Sequence, residues 1–210
     1  WCAEALVRTG MMNITLVDPD EVCPTNVNRQ VQATSRTVGL PKVEELRKRL
    51  LEIHPGADIV ARRERFSEKS APGFNLPEYD YVIDAIDSIA DKALLLEECV
   101  TAGVTVFSSM GAAARTDPSR IKTAPLSRTH GCPLARSVRR RLRERNIPGD
   151  FLCVYSDEPA TGESVAVPAS DPSCGGTGAP GKRVNGSLLH ITGIFGFALA
   201  GLVINDIARL

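Results

Sequence analysis

Apolar positions follow two different periods along this chain. "NITLVD", from Asn13 to Asp18, is a run of apolar and β-branched residues that ends on an acid, and it predicts a strand. The segment before it, "WCAEALVRTG", reads as the end of a helix stopped by Gly10. In "PKVEELRKRLLEIHP" the residues Val43, Leu46, Leu50 and Ile53 fall on one helical face, with Pro41 suited to the first turn and Pro55 as the stop. "ADIVARRE" and "YDYVIDAID" predict strands, "SIADKALLLEECVTAG" a helix and "VTVFSSMG" a further buried strand. Strands alternating with helices predict an α/β fold, a Rossmann-like and mostly parallel sheet flanked by helices.

The rhythm changes after Gly111. "AAARTDPSRIKTAP" reads as a hairpin or bent strand pair around Asp117, Pro118 and Ser119. "CPLARSVRRRLRERN" is an arginine-rich helix and "FLCVYS" a strand, so additional antiparallel strands are expected toward the C-terminus. Residues 159–186 are rich in Gly, Pro, Ser and Ala and predict a mobile loop. The closing "SLLHITGIFGFALAGLVINDI" is apolar nearly all round. Residues 188–204 approach the length of a bilayer span, but a helix of this kind also suits a buried core or a dimer interface.

A length of 210 residues suits a single domain, residues 1–210, with a sizeable core. The net charge of zero excludes a molecule aimed as a whole at nucleic acid or membrane, so any such partner must meet a local patch. The six cysteines are scattered with no C-x-x-C pair, which signals neither zinc nor a compact disulfide framework and suits reduced thiols. The chain opens on Trp1, so a targeting segment would lie upstream, as would the first strand and glycine-rich loop of a mononucleotide-binding unit.

The densest candidate chemistry is "LVDPDEVCPTNVNRQ". An acid at the tip of the second strand of a nucleotide-binding fold accepts hydrogen bonds from ribose hydroxyls, and Asp18 stands there. Arg29 offers a planar fork to phosphate oxygens and Lys42 a compact charge. Asn26 can donate its amide to phosphate or orient the arginine. Asp87 lies just past a strand's carboxyl end, where a carboxylate can hold magnesium bridging nucleotide phosphates. Each of these residues alone is equally well an ordinary surface charge or cap. Together they point to a nucleotide site.

"LVDPDEVCPTNVNRQ", "VGLPK", "VIDAIDS" and the late "FGFALAG" resemble the ThiF/MoeB superfamily of ubiquitin-activating-like adenylating enzymes. The resemblance implies a single ATP-binding domain that uses ATP and Mg2+ to activate a carboxylate as an acyl adenylate. It implies that Asp18 binds ribose, that Asn26, Arg29 and Lys42 hold phosphates, that Gln30 supports the loop and that Asp87 holds magnesium. The catalytic set would be Arg29, Lys42 and Asp87. It also implies a homodimer.

"SSMGAAARTDPSRI", the arginine-rich helix and "CVYSDE" are most similar to the tRNA threonylcarbamoyladenosine dehydratase branch. That branch implies an enzyme that closes a ring on a modified adenosine beside the tRNA anticodon. Arg136, Arg139, Arg140 and Arg143 recur at helical spacing and make the basic stripe such an RNA needs. A cytoplasmic location is expected, with mitochondrial membrane association through 188–204 as the alternative. The competing activity is adenylation of the C-terminus of a ubiquitin-like or sulfur-carrier protein, against which the missing zinc cysteines count. A nucleotide-binding adaptor without catalysis is a third reading, and a plain NAD oxidoreductase has no use for the Arg29, Lys42 and Asp87 set. Cys153, in an apolar strand, is a buried thiol or a covalent relay.

Overall fold

The structure, a computed structural model, describes residues 1–159, 165–166, 183–184 and 186–209. The loop expected over 159–186 therefore lies mostly outside the described residues. The chain begins with helix α1 (Cys2–Arg8), then strand β1 (Asn13–Val17), helix α2 (Lys42–Ile53), β2 (Asp58–Arg62) and β3 (Tyr81–Asp84). Helix α3 (Ile89–Ala102), β4 (Thr105–Ser109), β5 (Ile121–Pro125), helix α4 (Pro133–Glu144), β6 (Leu152–Ser156) and the long helix α5 (Leu189–Ala208) follow. Short strands at Val165–Ala166 and Arg183–Val184 pair with each other antiparallel.

β1 and β2 pair parallel, with Ile14 opposite Ile59. A second sheet runs β3-β4-β6-β5, parallel from β3 through β6 and antiparallel at β5. Among the described residues no backbone ladder joins β1 to β3, yet Tyr79 Oη reaches Thr15 Oγ1 at 3.3 Å and Ile14 shares an apolar cluster with Tyr81 and Ile83.

The pleat sorts side chains onto two faces. Val106, Cys153 and Tyr155 turn to a cluster with Leu96 and Cys99 of α3 and Val138 and Leu142 of α4. Their neighbours Phe107 and Val154 turn to the other face, against Leu6 of α1 and Ile191, Phe195, Leu199 and Val203 of α5. α2 covers the first sheet through Val43 and Leu50, which pack with Leu16 and Ile59. The three layers are those expected of a sheet with helices on both sides.

α5 can lie close on α1 because residue 196 is glycine: a Cβ there would stand 2.8 Å from Trp1 Cβ and 2.9 Å from the Cys2 amide nitrogen. Every fourth residue from Ile191 to Val203 is buried, while Leu189, Phe197 and Ile207 on other sides are exposed. α5 is thus a core helix with an apolar outer face. It is also the one described helix long and apolar enough to cross a membrane.

The expected hairpin around Asp117 is not formed. The Asp117 carboxylate caps a single turn at Pro118–Arg120 by accepting from the Ser119 amide, and β5 pairs instead with β6, beyond α4. The Glu158 carboxylate fixes that turn, accepting from the Thr116 and Asp117 amides and the Thr116 hydroxyl. Pro41 is the N-cap of α2 rather than part of its first turn. Cys2, Cys99, Cys132 and Cys153 are free thiols, whereas Cys23 is disulfide-bonded, a departure from the expectation of reduced thiols throughout.

Candidate active site

Parallel strands bring their carboxyl ends to one edge, and the chain between β1 and α2 is folded over that edge. Asp18 follows directly on β1, and its amide donates to the Arg62 carbonyl at the end of β2. Its Oδ1 accepts from the Asp20 amide at 2.8 Å, which bends the backbone sharply away from the sheet. An isolated bridge between Glu21 and Pro41 and a bond from the Lys42 amide to the Asp20 carbonyl bring the two ends of the loop together. Lys42, the first residue of α2, is thereby set against the acids: Nζ lies 2.8 Å from Asp20 Oδ2 and 3.9 Å from Asp18 Oδ2.

Burial pushes the Asp18 carboxyl above the usual carboxylate range, and the charges of Asp20 and Asp87 add to that rise, against the pull of the Asp20 amide and Lys42. Asp18 follows β1 and Asp87 follows β3, near enough for the charge of Asp87 to bear on Asp18. Asp87 sits in the loop between β3 and α3 with its side chain exposed, and among the described residues no hydrogen bond reaches its carboxylate.

The loop from Cys23 to Gln30 is built by asparagines. Asn26 is buried, and its Oδ1 accepts from the Cys23 amide at 3.0 Å while its carbonyl accepts from the Arg29 and Gln30 amides. Arg29 is oriented not by Asn26 but by its other neighbours, donating from Nη1 to the Thr25 carbonyl at 2.6 Å and to Asn28 Oδ1 at 3.0 Å. Its own carbonyl accepts from Trp1 Nε1 at 2.9 Å, and Asn28 ties the loop to the start of α5 through the Ser187 carbonyl. Gln30 Oε1 accepts from Gln32 Nε2, within the same loop.

Sequence reasoning passed over three buried groups near this edge. Asp84, Lys92 and Ser108 form a bonded set with no exposed surface. Its sequence signal was a lysine on the apolar stripe of α3, in line with Leu96 and Cys99, and an acid ending the preceding strand. Glu158 was the second, and its signal lay in the unpaired amides of the Arg-Thr-Asp turn. Arg115 is the third, buried with Nη2 donating to the Gly131 carbonyl at 3.4 Å. Cys153 is fully buried and its thiol is pushed far up by desolvation, so it is a packing residue and not a poised nucleophile.

On α4 the arginines divide. Arg139 Nη1 donates to the Leu126 and Thr129 carbonyls and to the Thr129 hydroxyl, which anchors the helix to the preceding turn. Arg145 pairs with Glu97 of α3. Arg136, Arg140 and Arg143 are exposed, with only a loose 3.9 Å contact between Arg140 and Glu144.

A mostly parallel α/β unit with acids and a lysine at the carboxyl ends of its strands has the layout of a nucleotide-binding fold. The ThiF family profile matches residues 1–207, and the chain belongs to that family. It is similar to the tRNA threonylcarbamoyladenosine dehydratase of Bacillus subtilis, 42% identical over 158 residues that cover 75% of this chain and 62% of that one. It is 34% identical over 212 residues to the enzyme of the same name from Escherichia coli, covering 94% of this chain and 77% of that one. The E. coli tRNA N6-threonylcarbamoyladenosine dehydratase in complex with ATP matches in structure with a TM-score of 0.84 at 30% identity, over 100% of this chain and 81% of the other. The chain thus spans less than two thirds of the Bacillus relative's length and about four fifths of the E. coli one's.

Proposed function

We propose that this protein is an ATP-dependent dehydratase acting on N6-threonylcarbamoyladenosine in tRNA, and that residues 1–210 form one adenylating unit. The observation that carries the reading is the gathering of Asp18, Lys42 and Asp87 at the carboxyl edge of a chain that aligns over its whole length with an ATP-bound dehydratase. In this reading Asp18 accepts from the ribose hydroxyls. Lys42 turns from its two acids to the phosphates, joined by the Arg29 guanidinium and the Asn26 amide, and Gln30 supports the loop.

Asp87 fits a magnesium ion. It offers an exposed carboxylate with no bond of its own among the described residues, just past the carboxyl end of β3. An ion there would be shared between this carboxylate and the substrate phosphates. When bound, the ion would offset phosphate charge during transfer.

The chemistry follows from the leaving groups. The threonine carboxylate attacks the α-phosphorus and pyrophosphate departs. The carbamoyl group then attacks the activated carbonyl carbon, and AMP leaves with the former carboxylate oxygen. The tRNA loses the elements of one water and gains a ring. Because the second step is intramolecular, positioning can supply up to roughly 7–11 kcal/mol of its barrier. The protein's remaining work is charge stabilisation, which this reading assigns to Arg29 and Lys42.

The exposed Arg136, Arg140 and Arg143 give the RNA backbone a contact stripe, with Arg139 holding the helix in place. The outer face of α5 suits a second copy of the chain. Its inner stripe belongs to the core, so the helix cannot enter a bilayer without unpacking the sheet. A cytoplasmic location is in keeping with this reading. Adenylation of a carrier protein is the reading to separate from this one. The test is release of pyrophosphate from ATP and Mg2+, with threonylcarbamoylated tRNA, unmodified tRNA or a ubiquitin-like carrier as the third component. Release only with the modified tRNA is expected, and release with the carrier alone would overturn the proposal.

A further inference from the structure

The buried set behind the Asp87 loop has no part in the reaction as described. Asp84 ends β3, Lys92 lies in the first turns of α3 and Ser108 is near the end of β4, and all three are fully buried. Lys92 Nζ donates to Asp84 Oδ2 at 2.5 Å, and the Ser108 hydroxyl donates to the same oxygen at 2.5 Å. A charged pair removed from water persists only where its remaining valences are filled, so the groups that fill them show what the pair holds in place.

The remaining valences are spent on one residue. Asp84 Oδ1 accepts from the Ile86 amide at 3.0 Å, and Lys92 Nζ donates to the Ile86 carbonyl at 2.9 Å. Both backbone groups of Ile86 are therefore clamped by the ion pair, and the clamped carbonyl belongs to the peptide bond that leads into Asp87. The loop between Asp84 and Ile89 has four residues, and Asp87 has no side-chain bond to hold it among the described residues. Its carboxylate is set by the backbone alone, and the backbone is set by Lys92 and Asp84. Ser108 locks the pair from the neighbouring strand.

We propose that Lys92 is a positioning residue for the Asp87 carboxylate, holding it through the Ile86 carbonyl where it can meet metal-bound ATP. This rests on the reading of Asp87 as the magnesium-holding acid. Partners that orient a metal-holding group typically change metal affinity by about 10–100-fold when lost.

Lys92→Met alone leaves a buried carboxylate unpaired and can cost the fold, so the informative variant is Asp84→Asn with Lys92→Met. The pair is then neutral and of similar volume, the introduced carboxamide keeps an oxygen for the Ile86 amide and turns its amino group to the Ser108 hydroxyl, which then accepts, and the donor to the Ile86 carbonyl is gone. ATP affinity is measured by calorimetry with and without Mg2+ for the wild type, the double variant and Asp87→Asn, and amide hydrogen exchange is followed across residues 85–88. The expected result is a double variant that melts as a folded protein, binds ATP without Mg2+ as the wild type does, and loses the gain in affinity that Mg2+ gives by about 10-fold or more. Exchange at the Asp87 amide rises with it. If Asp87→Asn loses the Mg2+ effect and the folded double variant keeps it, the positioning role is overturned while the site reading stands. If Asp87→Asn itself keeps the Mg2+ effect, both fall. A double variant that no longer folds would show a purely structural pair and would also overturn the proposal.

Discussion

Lys42→Met separates the binding role of this lysine from any structural one. Nζ stands 2.8 Å from Asp20 and 3.9 Å from Asp18, and the Asp20 side chain is 65% exposed. An ion pair to so open an acid contributes about 0–1 kcal/mol to folding, which corresponds to no more than ~4 °C in Tm for a domain of this size. Methionine keeps the length and apolar stem of the side chain, so the packing at the start of α2 survives. The loss on binding is larger. A charged donor to a phosphate oxygen contributes about 1.5–3 kcal/mol, or about 10–150-fold in affinity. Removing the cation also leaves Asp18 and Asp20 without the lysine that faces them. Calorimetric titration with ATP and Mg2+, alongside a thermal melt, reads both numbers on one sample. An affinity within about threefold of wild type would refute the phosphate role, and a fall in Tm well beyond ~4 °C would show that the lysine serves the fold.

Asp18→Asn should raise Tm at neutral pH while weakening ATP binding. Its carboxyl is held above the usual range mainly by burial, so its ionised form costs the empty fold, and a thermal melt with an ATP titration checks both directions. Asp157 is held down to about 2, first by Lys122 and then by Arg120, so the stability it contributes is present above about pH 4 and is lost as pH falls through about 2. Asp157→Asn should therefore flatten the acid limb of the Tm profile and leave the profile above about pH 5 parallel to wild type. Changing Arg136, Arg140 and Arg143 together to Gln should lower tRNA affinity and reduce the salt slope by about 0.7–0.9 log units per lost phosphate contact. ATP binding in that variant should be unchanged, and a filter-binding series across salt concentrations with a parallel ATP titration decides it.

The elements that carry the site were legible because their patterns were unmixed. The β-branched run ending at Asp18, the face of Val43, Leu46, Leu50 and Ile53, and the strand running into Asp84 all have one dominant period. The turn at Asp117 was misread because local turn chemistry does not say which strand will pair with which. β5 found its partner across a whole helix, at β6. The stripe on α4 was legible as a helix face, but spacing could not tell that Arg139 would be drawn to the Leu126 and Thr129 carbonyls while its neighbours stayed in water. Lys92 was hidden for the opposite reason. A lysine in a helix counts as a polar position, and only the fold brings it to Asp84, eight residues earlier, with Ser108 of the next strand closing the set.

The most direct test of the account is nucleoside mass spectrometry on threonylcarbamoylated tRNA incubated with the protein, ATP and Mg2+. The account predicts that the modified adenosine loses the mass of one water in step with AMP formation, and that omitting ATP abolishes the change. A modified adenosine of unchanged mass after AMP has formed would contradict it.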